Sequence, residues 1–308
     1  MITEYVSVYS NWDSSSCVRS KPKYEFCDTE FLGRYFSASS LAILDHSLLQ
    51  GLSEDLINKL LFHKLVSYSR FTDRLERDVV LPACYSLVDI VSNYDLPCAI
   101  SADAMKTATD EAYHAQFSRQ LVNEVCRVSG EKTLSYFSTS FIDFVDDLCN
   151  SVSGELKGLV RVFSAFVSET MITYNLSKIP KDKSVNNFVR GILKDHAEDE
   201  GKHHIFFSRI FPLLWKSISI ENKNFIGNLL PKLIHKYLSI DVYEEELWLK
   251  SVGFTPKETE VCLLETYGSG EAVGDLNSTK KTMNYIEKAG VLDIPSIRNS
   301  FFIKGLLN

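Results

Sequence analysis

Residues 196–203 read His196-Ala197-Glu198-Asp199-Glu200-Gly201-Lys202-His203. On a helix, offsets of four and seven residues return to one face, so His196, Glu200 and His203 share it. The last five residues form the pattern Asp-Glu-x-x-His, which occurs a second time at Asp110-Glu111-Ala112-Tyr113-His114. Glu and His three apart project from one side of a helix about a turn apart. That spacing suits a carboxylate oxygen and an imidazole nitrogen on one metal ion. The Asp before each Glu points elsewhere. Asp110 and Asp199 are placed to accept the second ring N–H of a ligand histidine, which fixes its tautomer and raises its basicity.

The repetition carries the signal. With 7 His and 40 Asp plus Glu among 308 residues, an acid three residues before a His is expected by chance about once. Requiring two adjacent acids lowers the expectation to about 0.1, and two copies to under about 0.01.

Two metals in a four-helix bundle need two Glu-x-x-His helices and one inward Glu from each of two further helices. Glu76 lies on the helical pattern before the first motif. Glu169 lies on the one before the second, a lone acid in the apolar run Val160–Ile172. An unpaired charge there is costly to bury, and a metal ion compensates it. The order Glu, Glu-x-x-His, Glu, Glu-x-x-His predicts an all-α, ferritin-like four-helix bundle with a dimetal centre.

The set Glu76, Glu111, His114, Glu169, His196, Glu200 and His203 resembles that of the diiron arylamine N-oxygenases, the family of the p-aminobenzoate N-oxygenase of aureothin biosynthesis. A third histidine four residues before the last ligand glutamate is what that family adds to the ferritin-like plan, and here it is His196. The resemblance covers roughly residues 60–210. It implies all seven as metal ligands, with His196 giving the second metal an extra nitrogen. It further implies two Fe ions, O2 as co-substrate, an external electron donor that is a protein or a chemical reductant, and oxidation of an amine nitrogen to the hydroxylamine and on to nitroso or nitro in specialised metabolism. Mn suits the same ligands.

The substrate is not encoded in these motifs. It is a free small-molecule amine or an aminoacyl group tethered to a carrier protein. Tyr68 and Asn175, near Glu76 and Glu169 on their helices, are candidate substrate contacts. A carboxylate-bearing substrate needs a cationic partner, for which Lys280 and Arg298 are only candidates. Two other classes stay open: another dimetal oxidase (carbon hydroxylase, desaturase or radical-generating subunit) and an iron-storage bundle. His196 favours the N-oxygenase by resemblance. The helical segments beyond the bundle disfavour a minimal storage protein.

Outward from the motifs, helical periodicity starts at Ser53, a capping residue followed by two acids, and runs to Pro97 with a kink or break expected at Pro82. Further helices are expected from Ser101 to about Arg127, Lys132 to Asn150, and Gly154 to Lys178. Another begins after Ser184 or Asn186 and stops near Ile210, before Pro212. Four more follow at about 220–250, 256–267, 277–289 and 295–304. Strand alternation is nowhere sustained. We read a single domain with an N-terminal arm over 1–50, a metal-binding bundle over 53–210, and C-terminal helices over 211–308. His46, His63, His204 and His235 lack the acid spacing and read as structural.

The composition agrees with this reading. Hydrophobic residues make up 45% of the chain, too many for a disordered one. The net charge of -7 argues against a protein that works by gripping nucleic-acid phosphates. No apolar run is long enough to span a membrane, and the start shows no signal-peptide pattern. The 7 Cys, odd in number and without C-x-x-C spacing, read as reduced thiols. A cytoplasmic location is expected, with no nucleic-acid or membrane partner and a homodimer compatible.

Overall fold

The computed structural model describes residues 5–20 and 33–307. Among them the chain is all-α, and the only β pairings are the isolated bridges Arg34–Val185 and Ser239–Val273. The arm at 5–20 carries two single turns, α1 (Trp12–Ser15) and α2 (Cys17–Ser20). Cys27 and the Lys21-Pro22-Lys23 segment lie outside the described residues.

Four rods form the bundle. The first comprises α3 (Glu54–Leu75), a π-helical turn at Glu76–Val80, and α4 (Leu81–Asn93). The others are α5 (Ala99–Ser129), α7 (Gly154–Leu176) and α8 (Asn187–Ser217), with α6 (Ser140–Ser151) between α5 and α7. Beyond them lie α9 (Ile220–Leu238), α10 (Val242–Ser251), α11 (Pro256–Tyr267), α12 (Lys280–Lys288) and α13 (Pro295–Ile303).

The starts follow capping chemistry. The Ser53 hydroxyl accepts from Leu56 N, and Asn186 Oδ1 accepts from Phe188 N at 2.8 Å. Gly130 ends α5 at φ 68°, the left-handed conformation that glycine adopts without strain.

Several expected boundaries are corrected. The break expected at Pro82 is a π-helical turn at Glu76–Val80, after which Pro82 opens α4 without ending the rod. Leu81 N bonds the Glu76 carbonyl five residues back, and this wide turn gives the proline ring the room an α-turn would deny it. Pro212 likewise does not end α8, which continues to Ser217. Burying Phe211, Leu214 and Trp215, at roughly 1.5–3 kcal/mol each, outweighs the roughly 3 kcal/mol cost of an internal proline. The helix expected from Lys132 starts only at Ser140. The Arg70 guanidinium binds the Leu134 carbonyl (2.7 Å) and the Thr133 hydroxyl (2.6 Å), tying that non-helical stretch to α3. The 220–250 segment divides at 239–241, where Asp241 caps α10. The 277–289 segment opens with a 3-10 turn, Leu276–Thr279.

The core is two apolar clusters with a polar layer between them. Along α8, Leu193 belongs to one cluster and Phe206 to the other, with His196, Glu200 and His203 between. Along α5, Ala108 and Phe117 bracket Glu111 and His114 in the same way. Helix periodicity thus turns the candidate ligands into one polar layer of the bundle. No helix is long and apolar enough to cross a membrane, among the described residues.

Candidate metal centre

The seven side chains named from the sequence converge in that layer, each at most 1% exposed. They form three overlapping groups: Glu76, His114, His196 and Glu200; Glu111, His114, Glu200 and His203; and Glu76, Glu111 and Glu169. Within each group, one ligand atom per residue lies within 4.8 Å of the others. Glu200 and Glu111 sit centrally. Glu200 Oε1 is 3.2 Å from His114 Nδ1, 3.2 Å from His196 Nε2 and 3.3 Å from His203 Nδ1. Glu111 reaches His203 Nδ1 at 2.8 Å and His114 Nδ1 at 3.2 Å.

His196 sits differently from the sequence expectation. It groups with Glu76, 3.5 Å away, and with His114, rather than with Glu169 and His203. The reason is height. Seven residues advance about 10.5 Å along a helix axis, so His196 and His203 share a face but flank Glu200 from opposite sides.

Asp110 and Asp199 lie behind the two motif histidines, and they are exchanged. His114 Nε2 on α5 faces Asp199 Oδ2 on α8 at 3.4 Å, and His203 Nε2 on α8 faces Asp110 Oδ2 on α5 at 3.4 Å. A proton held on Nε2 by each aspartate leaves Nδ1 as the lone pair directed at the layer's centre.

Burial and mutual repulsion set the protonation of the metal-free layer. Burial, then the Glu111 charge, pushes the Glu76 carboxyl well up. Burial, then the Glu200 charge, does the same to Glu169. Burial also raises Glu111, but the His203 charge together with hydrogen bonds to Glu76 and His114 outweighs it and holds the group down at about 2. Glu200 is likewise held well below its usual range, burial being outweighed by His203, His114 and His196. Burial pulls His114 and His203 down, yet their carboxylate partners drive both well above the ordinary imidazole value. His196 is lowered by burial and by the His114 charge. The shifts thus favour the neutral acid at Glu76 and Glu169, the carboxylate at Glu111 and Glu200, the protonated ring at His114 and His203, and the neutral ring at His196.

This arrangement fits a pair of cations. Both oxygens of Glu76, Glu169 and Glu200, Oε1 of Glu111, both nitrogens of His196 and Nδ1 of His203 lack a hydrogen-bond partner although buried. Such atoms are costly unless something binds them, and here their free valences point at one another. A mixed set of carboxylate oxygens and imidazole nitrogens suits iron and manganese.

Tyr68 is close to this layer. Its hydroxyl is buried beside Thr72 without a well-formed hydrogen bond. Burial raises its pKa, and the Glu200 and Glu76 charges add to that. The Asn175 side chain lies outside what the structure describes. Lys280 and Arg298 are exposed on α12 and α13. His204 is buried between the Thr173 and Tyr285 hydroxyls at 3.2 and 3.0 Å, and burial lowers its pKa to about 4. His46 bonds Glu265, His63 bonds Ser251, and His235 approaches Glu271 at 3.7 Å.

Sequence reasoning missed the groups from outside the bundle. Tyr237 on α9 packs edge-to-face on Phe71 and Phe141. Burial raises its pKa, as do the charges of Glu169, Tyr68, Glu200 and Glu76. The arm places Tyr9, Trp12, Ser16 and Cys17 against α5 and α8. One signal was available for the arm. Tyr5, Tyr9 and Trp12 bond Asp103, Thr107 and Asp110, so the two segments share one spacing of four and three.

The protein family described as P-aminobenzoate N-oxygenase AurF matches residues 27–288 of the chain. A search of curated proteins finds no match.

Proposed function

Because the chain belongs to the p-aminobenzoate N-oxygenase family, we propose that it is a diiron oxygenase that converts an amine to its hydroxylamine, and onward to nitroso or nitro. The observation that carries the reading is the convergence of orphaned carboxylate oxygens and imidazole nitrogens in a fully buried layer. Glu76, His114 and His196 would hold one ion, Glu169 and His203 the other, with Glu111 and Glu200 shared. Two iron ions bound there would supply the reduction of O2 and the oxidising power for the amine nitrogen.

The chain's own residues do the rest. The apolar clusters above and below keep water from the layer and strengthen each polar interaction within it. Asp110 and Asp199 hold two imidazoles in the ligating tautomer. Tyr68 and Tyr237 stand on the α3–α9 side, where an incoming amine would find hydroxyls and the aromatic faces of Phe71 and Phe141. An external electron donor completes the cycle.

The test is anaerobic Fe(II) loading, then O2 and a panel of free and carrier-tethered amines, with products read by mass. N-oxidised product with about two irons per chain is the expected result. Iron uptake with carbon-hydroxylated or desaturated product would point to a different oxidase. No iron uptake would overturn the reading.

A further inference from the structure

Resting on the dimetal reading, we propose that the N-terminal arm is part of the metal centre: Trp12, Ser16 and the Cys17 backbone are positioning groups that fix the carboxylates orienting the two motif histidines. The arm precedes the residues matched by the family, and nothing in the metal motifs points to it.

The geometry is specific to Asp110 and Asp199. The Trp12 indole N–H donates to both oxygens of Asp110, at 3.0 and 2.9 Å. The Ser16 hydroxyl donates to Asp110 Oδ1. The Cys17 amide donates to Asp199 Oδ2 at 3.0 Å, the same oxygen that faces His114 Nε2. Lys202 Nζ takes the other Asp199 oxygen at 3.0 Å and also reaches Ser15 Oγ at 3.1 Å. Ser16 and Cys17 are buried, and Trp12 is half-buried. Two further contacts, Tyr5 to Asp103 at 2.6 Å and Tyr9 to Thr107 at 2.7 Å, lay the arm along α5.

A carboxylate orients an imidazole only if its own lone pairs are fixed. Asp110 has two oxygens in one plane, and His203 takes one of them. Donors from Trp12 and Ser16 stop that plane from rotating away. The Cys17 amide does the same for Asp199 and His114. The two halves act separately: Trp12 and Ser16 serve the ion on the His203–Glu169 side, and Cys17 serves the ion on the Glu76–His196 side.

Three variants separate positioning from packing. Trp12→Phe combined with Ser16→Ala keeps an aromatic ring but removes both donors to Asp110. Cys17→Pro removes only the N–H to Asp199 in backbone terms. Ser16 is extended (ψ 142°) and Cys17 opens α2, so proline is accommodated there. Cys17→Ala controls for the thiol, which also contacts the Asp195 carbonyl.

The metal-free proteins are loaded with Co(II) against a competing chelator. Affinity, stoichiometry and the visible spectrum are read, with helix content and melting of the metal-free state followed alongside. Wild type should take about two ions. The double variant should keep one ion at wild-type affinity and bind the other at least about tenfold more weakly, the usual cost of losing an outer partner. Cys17→Pro should weaken the opposite ion with a different spectral change, and Cys17→Ala should behave as wild type. Wild-type binding in every variant would overturn the proposal and leave the dimetal reading intact. So would uniform loss of both ions together with metal-free stability, since the arm would then be packing alone. Failure of wild type to bind Co(II) would remove both.

Discussion

His114 Nε2 on α5 lies 3.4 Å from Asp199 Oδ2 on α8, so the helix that supplies one ligand histidine is steered by the helix that supplies another. The reverse pair, His203 and Asp110, has the same separation. Asp199→Asn keeps the shape but removes the charge that favours a proton on Nε2. The expected outcome is a 10–100-fold loss of metal affinity, roughly what outer-partner substitutions cost. Helix content in the metal-free protein should be unchanged. Chelator competition checks the first point and circular dichroism the second.

Substituting a shared ligand should cost both ions, and substituting a side ligand only one. Glu200 faces three histidines, whereas the Glu169 carboxylate pairs with His203, at 3.9 Å. Glu200→Ala is therefore expected to lower bound iron from about two per chain to near zero, and Glu169→Ala to about one. Metal analysis after anaerobic loading and desalting decides it, and equal losses would contradict the assignment.

Glu169→Gln separates metal binding from folding. Burial and the neighbouring charges favour the neutral acid at this position without metal, and an amide mimics that form. The metal-free melting point should move by less than about 2 °C, the shift that about 1 kcal/mol produces at this chain length. The rise in melting point that metal gives wild type should largely vanish. Calorimetry with and without Fe(II) under argon measures both.

Loading should release protons. Glu76 and Glu169 have carboxyls raised by burial, and His114 and His203 are raised by their carboxylate partners. All four are shifted toward the protonated form and must be deprotonated to ligate. His196, lowered, has none to lose. The sign follows: raising the pH removes competing protons, so affinity climbs with pH, and the stabilisation by metal widens with it. Net proton release on loading is expected. Titration calorimetry in buffers of different ionisation enthalpy measures it, and release of none would refute the raised protonation of these four groups.

His196→Ala tests its grouping with Glu76. The ion on the Glu76–His114 side should weaken while the His203–Glu169 ion holds, giving a two-step Co(II) titration. Weakening confined to the His203 side would return His196 to the second metal.

The bundle was legible because four rods with strong 3.6-residue periodicity carry their ligands on the buried face. Glu169 was legible because a lone acid in an apolar run is physically conspicuous. What stayed hidden depends on contacts distant in sequence. The non-helical 131–139 stretch is held by Arg70. Pro212 is tolerated because Phe211, Leu214 and Trp215 are buried around it. The face of His196 could be read from spacing, but its partner across the bundle could not. The arm's spacing of four and three at Tyr5, Tyr9 and Trp12 acquires meaning only beside the same spacing on α5.

The polar layer between the two apolar clusters also bears on how the chain comes apart. Without cations, the middle turns of α5 and α8 are joined mainly through groups that prefer water or a proton. The metal-free protein then has a plane of weakness, and its two halves approach separate cooperative units. Amides around Glu111 and Glu200 should exchange with deuterium sooner than those near Leu60 or Phe163, and loading should erase the difference. The ions would be mortar as well as reagent, and their loss would mark the chain for local opening before any global unfolding begins.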